Sequence, residues 1–206
     1  MFKGTPEIIA QRREEIVNAC EQLYQTMSFK DITLKEISNV TSFSRPTIYN
    51  YFHTKEEIFL ALYKREYDRW NADLEGIIGS SQKYSGEKIA EQIAGSLERR
   101  EQLLKLMSMN NYDMEANSRE ELLAEFKTSY GKSLSLFREM LGKFRSDISS
   151  PEIENIIYVF FPFMFGIYPY AEVTAKQKEA MKSAEVDYKY QSIYEITYNC
   201  LARLLK

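Results

Sequence analysis

Apolar positions recur along this chain with the period of a helix, and short polar stretches punctuate them. Between Glu7 and Met27, residues Ile9, Ile16, Cys20, Leu23, Tyr24 and Met27 lie near one stripe, while Gln11, Arg12, Glu14, Glu15 and Glu21 occupy the rest. That pattern predicts a first amphipathic helix. Phe29 and Ile32 lead into two short apolar faces, Leu34/Ile37/Val40 and Ile48/Tyr51/Phe52. A longer stripe of Ile58, Leu62, Tyr63, Tyr67, Trp70 and Leu74 predicts a helix from Lys55 to Ile78, punctuated by Gly76, Gly79, Ser80 and Ser81. Further helices are expected at 87–109, 118–144, 151–171 and 187–205, with the polar stretch 174–186 as a loop or short helix between the last two. No segment alternates with the period of a strand. The expected fold is all-α: an N-terminal head of three helices (residues 1–54) and a C-terminal helical bundle (residues 55–206), with the helix from Lys55 shared by both.

Helix-start signals crowd into residues 33–57. Thr33 with Glu36 is a capping box, and Thr54 with Glu57 is another. Ser44 can cap a helix with Arg45 and Pro46 in its first turn. Two very short helices joined by a tight turn, followed by a long helix, are the signature of a helix-turn-helix. The segment Arg45–Tyr51 is then a probe sized for the DNA major groove. Farther on, Ser118 with Glu121 and Ser150 followed by Pro151 are expected to start two more helices.

Composition supports a substantial core, with 44% apolar and 14% aromatic residues, and only 5 Pro and 8 Gly. The net charge of -3 argues on its face against a nucleic-acid partner. Its distribution changes the picture. Residues 1–55 carry seven bases (Lys3, Arg12, Arg13, Lys30, Lys35, Arg45, Lys55) against six acids, and the remainder carries 20 against 24. The asymmetry is weak but compatible with DNA contact at the N-terminal end. Cys20 and Cys200 each sit in an apolar helical pattern, which reads as two buried thiols in a reducing cytoplasm rather than a disulfide. The polar N-terminal stretch lacks an apolar core segment, so no secretory leader is expected. The uncharged stretch 155–171 falls short of the ~20 residues that span a bilayer. Pro162 and Pro169 interrupt it, so it reads as a buried helix. His53 is the only histidine, which excludes a multi-histidine metal site and any serine–histidine relay needing a second imidazole. There is no glycine-rich phosphate loop, Cys-x-x-Cys or nucleophile elbow, so neither enzymatic activity nor a cofactor is expected.

Residues 8–60 resemble the DNA-binding domain of the TetR (tetracycline-repressor) family of bacterial regulators. The matching positions are Phe29, Thr33, Ile37, Ser44, Thr47, Ile48, Tyr49, Tyr51, Phe52, Lys55, Glu56, Glu57 and Ile58. Ser38, Thr41 and Ser42 stand where Ala, Ala and Gly are usual, and a positive φ at 42 would suit glycine. Side-chain chemistry assigns candidate roles. Thr33, Ser44, Thr47 and Tyr49, with helix-start amides, can donate to phosphates, and Lys55 can reach one. Pro46 fits the first turn of the reading helix. Arg45 is the candidate for guanine O6 and N7, and Asn50 or Tyr51 for base edges or a thymine methyl. Tyr51 can equally pack the small core with Phe52, and His53 can meet phosphate or solvent.

The C-terminal half is rich in bulky aromatics and Met. Trp70, Leu103, Met107, Tyr112, Phe126, Tyr130, Phe137, Phe161, Phe165 and Tyr168 can fill an ordinary core. They can instead wall a cavity for a mostly apolar or aromatic effector, as the resemblance implies, with Pro162 kinking its helix and leaving room. Phe160, Phe163, Ile167, Tyr170, Tyr190, Tyr194, Tyr198 and Leu201 can be buried within one chain or form a self-complementary seam in a homodimer. The function expected is a transcription regulator of repressor type. It would bind a palindromic double-stranded operator and respond to a small molecule. The alternative is a helical small-molecule-binding protein with a vestigial head.

Overall fold

The structure, a computed structural model, describes residues 5–109 and 111–206; Lys3 lies outside them. The described residues form eleven helices and no strand. In order they are α1 (Pro6–Tyr24), α2 (Leu34–Asn39), α3 (Arg45–Ile48), α4 (Lys55–Ile78), α5 (Gly86–Glu98) and α6 (Glu101–Met107). There follow α7 (Asn111–Ala116), α8 (Glu120–Phe144), α9 (Ser150–Ala171), α10 (Ala175–Ser183) and α11 (Ile193–Leu204). Their contacts divide the chain into two compact units: Met1–Arg65 with Asn110–Thr128, and Glu66–Met109 with Ser129–Lys206. The division expected at residue 54 thus falls inside α4, and the first unit takes in α7 and the start of α8. The physical reason is a set of polar bonds from α4 to the α7–α8 connection, described below.

The first unit closes around a small core. Ile16, Cys20 and Tyr24 from α1 meet Ile37 from α2, Ile48 from α3, and Ile58 and Phe59 from α4, all buried. Phe59 takes the edges of Tyr24 (5.1 Å between centroids) and Phe29 (4.8 Å). Arg65 on α4 fastens α1 by donating to Glu14, Asn18 and Glu21. Thr33 caps α2, its hydroxyl accepting from Lys35 N (3.2 Å) and Glu36 N (3.4 Å); the expected capping box is half realised, because the Glu36 carboxylate accepts from the Thr33 hydroxyl rather than from its amide. Val40, expected on the buried face, is the exposed C-cap. The turn at Ser42 needs no positive φ; among described non-glycine residues only Glu185 has one. The Glu15 carboxylate accepts instead from Ser42 N (2.8 Å) and Oγ (2.7 Å), binding the turn to α1. Those bonds hold Glu15 below the usual carboxylate range.

In the second unit α11 lies against α5 and α9, and α6 against α9. The helix expected over 87–109 is two, because Arg100 leaves helical geometry (φ -114, ψ 38) and grips Asp73 with two hydrogen bonds (2.7 and 3.0 Å). The last helix starts at 193 rather than 187, where Ser192 and Glu195 form a capping box. In the same way α9 starts one residue early, Glu152 accepting from Ser149 N and Oγ. It runs unbroken through Pro162 and Pro169. No single helix among the described residues is long and apolar enough to cross a membrane.

Candidate nucleic-acid interface

The reading segment is built by local sequence. Ser44 takes the extended N-cap conformation and Pro46 follows in the first turn, where its missing N–H costs nothing. The Ser44 hydroxyl does not bond a backbone amide, as a cap would; it meets the Thr47 hydroxyl at 2.9 Å. Turn bonds carry the coil past α3, from Tyr51 N to Ile48 O (2.8 Å) and Phe52 N to Ile48 O (3.0 Å). Ile48, Tyr51 and Phe52 therefore point inward. Ser44, Arg45, Pro46, Tyr49, Asn50 and His53 are exposed, Thr47 is half-buried, and Thr33 is exposed at the start of α2. Arg45 Nη2 donates to the Tyr49 hydroxyl (3.0 Å), with its guanidinium 5.6 Å from the ring centroid. That partner is neutral, so the charge of Arg45 remains for an incoming anion or base edge. The Tyr49 oxygen accepts from Arg45 and keeps its own proton to donate.

One open choice is decided, at Tyr51, and one expected contact is corrected, at Lys55. Tyr51 is only 6% exposed, its ring 6.4 Å from that of Phe43 and its hydroxyl accepting from Arg12 (3.0 Å). It is core, because the inward side of the α3 coil recurs at 48, 51 and 52. Lys55 is half-buried: its ammonium donates to Phe29 O (2.7 Å) and Ile32 O (3.2 Å) and lies 4.2 Å from the Phe29 ring centroid. It ties the end of the α1–α2 connection to α4 and is spent on the chain's own carbonyls.

One cluster beside the reading segment has no signal in the local sequence. Glu57, 1% exposed, accepts from His53 N (2.6 Å), Arg119 N (3.1 Å), Arg119 Nε (2.7 Å) and Arg119 Nη2 (2.9 Å). Arg119 Nη2 also donates to Tyr51 O (3.1 Å), and the Thr54 hydroxyl to Asn117 O (2.9 Å). Burial alone would raise the Glu57 pKa; the bonds from Arg119 and the His53 amide outweigh it and hold the carboxyl below its usual range. The capping box at Thr54 is half realised: Glu57 N bonds Thr54 Oγ1 (3.2 Å), while the carboxylate serves His53 and Arg119. Arg119 immediately precedes α8, so Glu57 satisfies an amide at the start of that helix. Ser118, expected to be the cap, donates to Met114 O instead.

The sequence agrees with the geometry at family scale. Residues 16–62 match the model "Bacterial regulatory proteins, tetR family", and residues 64–189 match "Tetracyclin repressor-like, C-terminal domain". The chain belongs to the TetR family. The two matches meet inside α4, close to the division between the compact units. No curated protein matches the chain. Solved structures share the fold at low identity. A TetR/AcrR-family regulator from Thermobifida fusca is 16% identical over 95% of this chain and 97% of that one, with TM-score 0.60. Bacillus subtilis FadR in complex with stearoyl-CoA is 14% identical over 94% and 97% (TM-score 0.59). Thermus thermophilus FadR in complex with lauroyl-CoA is 17% identical over 94% and 93% (TM-score 0.57). The chain is thus an all-helical transcription regulator of the TetR family with a helix-turn-helix DNA-binding head.

The C-terminal candidates of this TetR-family chain separate by burial. Trp70, Leu103, Met107, Phe137 and Phe161 are buried together in the second unit, with Tyr130 half-buried beside them. Phe161 touches Trp70 (5.9 Å), Tyr130 (6.1 Å) and Phe137 (5.6 Å) ring to ring. The Trp70 indole donates to Ser96 (3.1 Å). Tyr168 is half-buried, and burial raises its pKa. Three expected pocket residues stand elsewhere. Tyr112 is 86% exposed, Phe165 is exposed on α9, and Phe126 belongs to the first unit, against Tyr63 (4.8 Å). The seam candidates divide likewise. Phe160, Ile167 and Leu201 are buried within the chain, Phe160 stacking on Phe137 (5.4 Å), because they lie on the inward stripes of α9 and α11. Phe163, Tyr170 and Tyr190 are exposed, and Tyr194 and Tyr198 are half-buried and stacked on each other (6.0 Å). Beside Pro162 lies a cleft of about 420 Å3 lined by Pro162, Phe163, Gly166, Tyr170, Tyr188 and Ile196; it includes the seam candidates Phe163 and Tyr170 and none of the expected pocket residues.

Proposed function

We propose that this TetR-family chain is a homodimeric repressor that binds a palindromic operator through α3 and is released by an apolar effector. The observation that carries the DNA part is the outward face of Arg45, Tyr49, Asn50 and His53, with Arg45 held by a neutral hydroxyl and so available to a guanine edge or phosphate. Ser44 and Thr47 stand at the start of α3 as phosphate donors, whereas the Thr33 hydroxyl already gives its proton to Glu36. One such helix reads few bases, so two copies at a spacing of about 34–36 Å, or a multiple, are needed for selectivity. The exposed apolar residues Val159, Phe163 and Tyr170 on α9 and the flank of α11 offer the seam for the second copy. The apolar interior around Trp70, Phe137 and Phe161 favours an apolar effector, and long-chain acyl-CoA is the first candidate because two structural neighbours were solved with stearoyl-CoA and lauroyl-CoA. Release then requires that the effector bind one spacing of the heads better than the other.

The test is fluorescence anisotropy of the full chain with the DNA upstream of its own coding sequence, titrated with salt and then with lauroyl-CoA. The reading expects affinity that falls steeply with salt and falls again on adding the thioester. Binding indifferent to salt removes the phosphate contacts. Salt-sensitive binding that lauroyl-CoA leaves unchanged removes the effector class and keeps the rest.

A further inference from the structure

The reading segment is fixed at its two ends by unlike means. At its start, Ser44 and Pro46 act through local backbone geometry alone. At its finish, the chain from Tyr51 to Glu57 turns from α3 into α4; three of its polar groups engage the α7–α8 connection, and a fourth is tied to one of those three. Tyr51 O accepts from Arg119, Glu57 takes three bonds from Arg119, Thr54 donates to Asn117, and the His53 amide is held by the same Glu57 carboxylate. Arg119 thus spans the hinge, one nitrogen on the carbonyl that ends the reading coil and the others on the first turn of α4.

The energetics make this an unlike choice from an exposed ion pair. Glu57 is 1% exposed, and a buried carboxylate is costly unless matched by charge and hydrogen bonds. Four donors supply that match, three of them from Arg119. Removing Arg119 leaves the carboxylate and the Tyr51 carbonyl each short of a partner, and the cheapest relief is to let water in by opening the 51–57 turn. That opening rotates α3 against α4. Among the described residues the hydrogen bonds of Arg119 go to Glu57 and Tyr51 O, not to the exposed side chains of the reading segment, so the effect argued for it on DNA runs through this geometry.

We propose that Arg119 is a positioning residue for DNA recognition: through Glu57 and Tyr51 O it sets the angle between α3 and α4, and makes that angle depend on where α8 begins. The inference rests on the reading of α3 as the DNA probe. It adds a route for regulation, because α8 continues from this contact into the second unit along one unbroken helix. A shift of α8 along its axis would loosen the Arg119 bonds and release the reading helix without any ligand near it.

The experiment uses the full chain and a duplex selected from a random library. Hydrogen exchange is followed at 44–53 and 111–128 with and without the duplex, and affinity is compared for selected and scrambled DNA. Work is done below the melting midpoint of each variant. The wild type is expected to slow exchange in both segments on binding. Arg119→Gln is expected to bind the selected duplex about tenfold more weakly, the equivalent of about 1.4 kcal/mol. It should bind scrambled DNA as before, and lose the slowing at 111–128 while keeping it at 44–53. Should Arg119→Gln fail to fold, Arg119→Lys carries the comparison, keeping charge beside Glu57 and forfeiting the Tyr51 bond. A folded variant with unchanged selectivity, or a wild type whose 111–128 exchange ignores DNA, overturns the inference. A wild type that prefers no duplex overturns the DNA reading along with it.

Discussion

Arg45 carries the sharpest chemical expectation in the head. Its guanidinium is exposed, lies beside the Tyr49 ring and has a neutral hydroxyl as hydrogen-bond partner. Arg45→Ala is therefore expected to weaken operator binding by about 1–3 kcal/mol and to flatten discrimination at one base position, read by competition among single-base operator variants. A uniform loss across all variants would make Arg45 a phosphate clamp instead. The exposed residues from Ser44 to His53 were legible in the sequence because caps and a proline set the helix start locally, and the start sets which side chains face outward. Tyr51 and Lys55 were not. Their directions are decided by partners distant in sequence: Arg12 for Tyr51, and the Phe29 and Ile32 carbonyls for Lys55. A tyrosine and a lysine in a basic motif look like DNA contacts until the fold shows what already holds them.

At the scale of helices, the same distinction separates what local sequence decides from what it does not. Thr33 caps α2 by sequence alone, and Thr33→Ala is expected to cost about 1 kcal/mol of head stability in urea denaturation. Cost near zero would show that Glu36 and the tertiary contacts suffice. The break between α5 and α6 was invisible because it turns on Arg100 reaching Asp73, and the start of α8 because Glu57 of another helix serves Arg119. Glu57 and Glu15 both sit below the ordinary carboxylate range when folded. The stability they contribute is present above the unfolded value of about 4.3 and is lost as pH falls through their folded values. Urea midpoints should therefore drop on acidification below about pH 4.3, and Glu57→Gln, already less stable at neutral pH, should show a shallower drop. An unchanged slope in the variant would remove Glu57 from the acid response.

For the whole molecule, total charge misleads: the chain is net negative, yet its reading face presents an arginine whose hydrogen bond goes to a tyrosine hydroxyl. Selectivity further requires two faces, and so a second copy. Phe163, exposed on α9, is the most direct probe of the proposed seam. Phe163→Glu would place an unpaired carboxylate in an apolar contact, and light scattering is expected to report monomers with operator affinity lost. A dimer that persists would move the seam off this face. Family and helical class were readable from residues 29–58 and from the periodicity; which aromatics fill the core and which stay outside was not, because α9 is apolar around most of its circumference and only packing chooses its inward stripe.

If the outward face of α3 reads duplex DNA, as proposed, selection of the full chain against a library of random duplexes recovers the sequence it reads. Enrichment of an inverted repeat is expected, with half-sites about one or more helical turns apart, and it is abolished by Arg45→Ala together with Tyr49→Ala. Recovery of unenriched sequence, or of the same motif by the doubly substituted chain, would contradict that proposal.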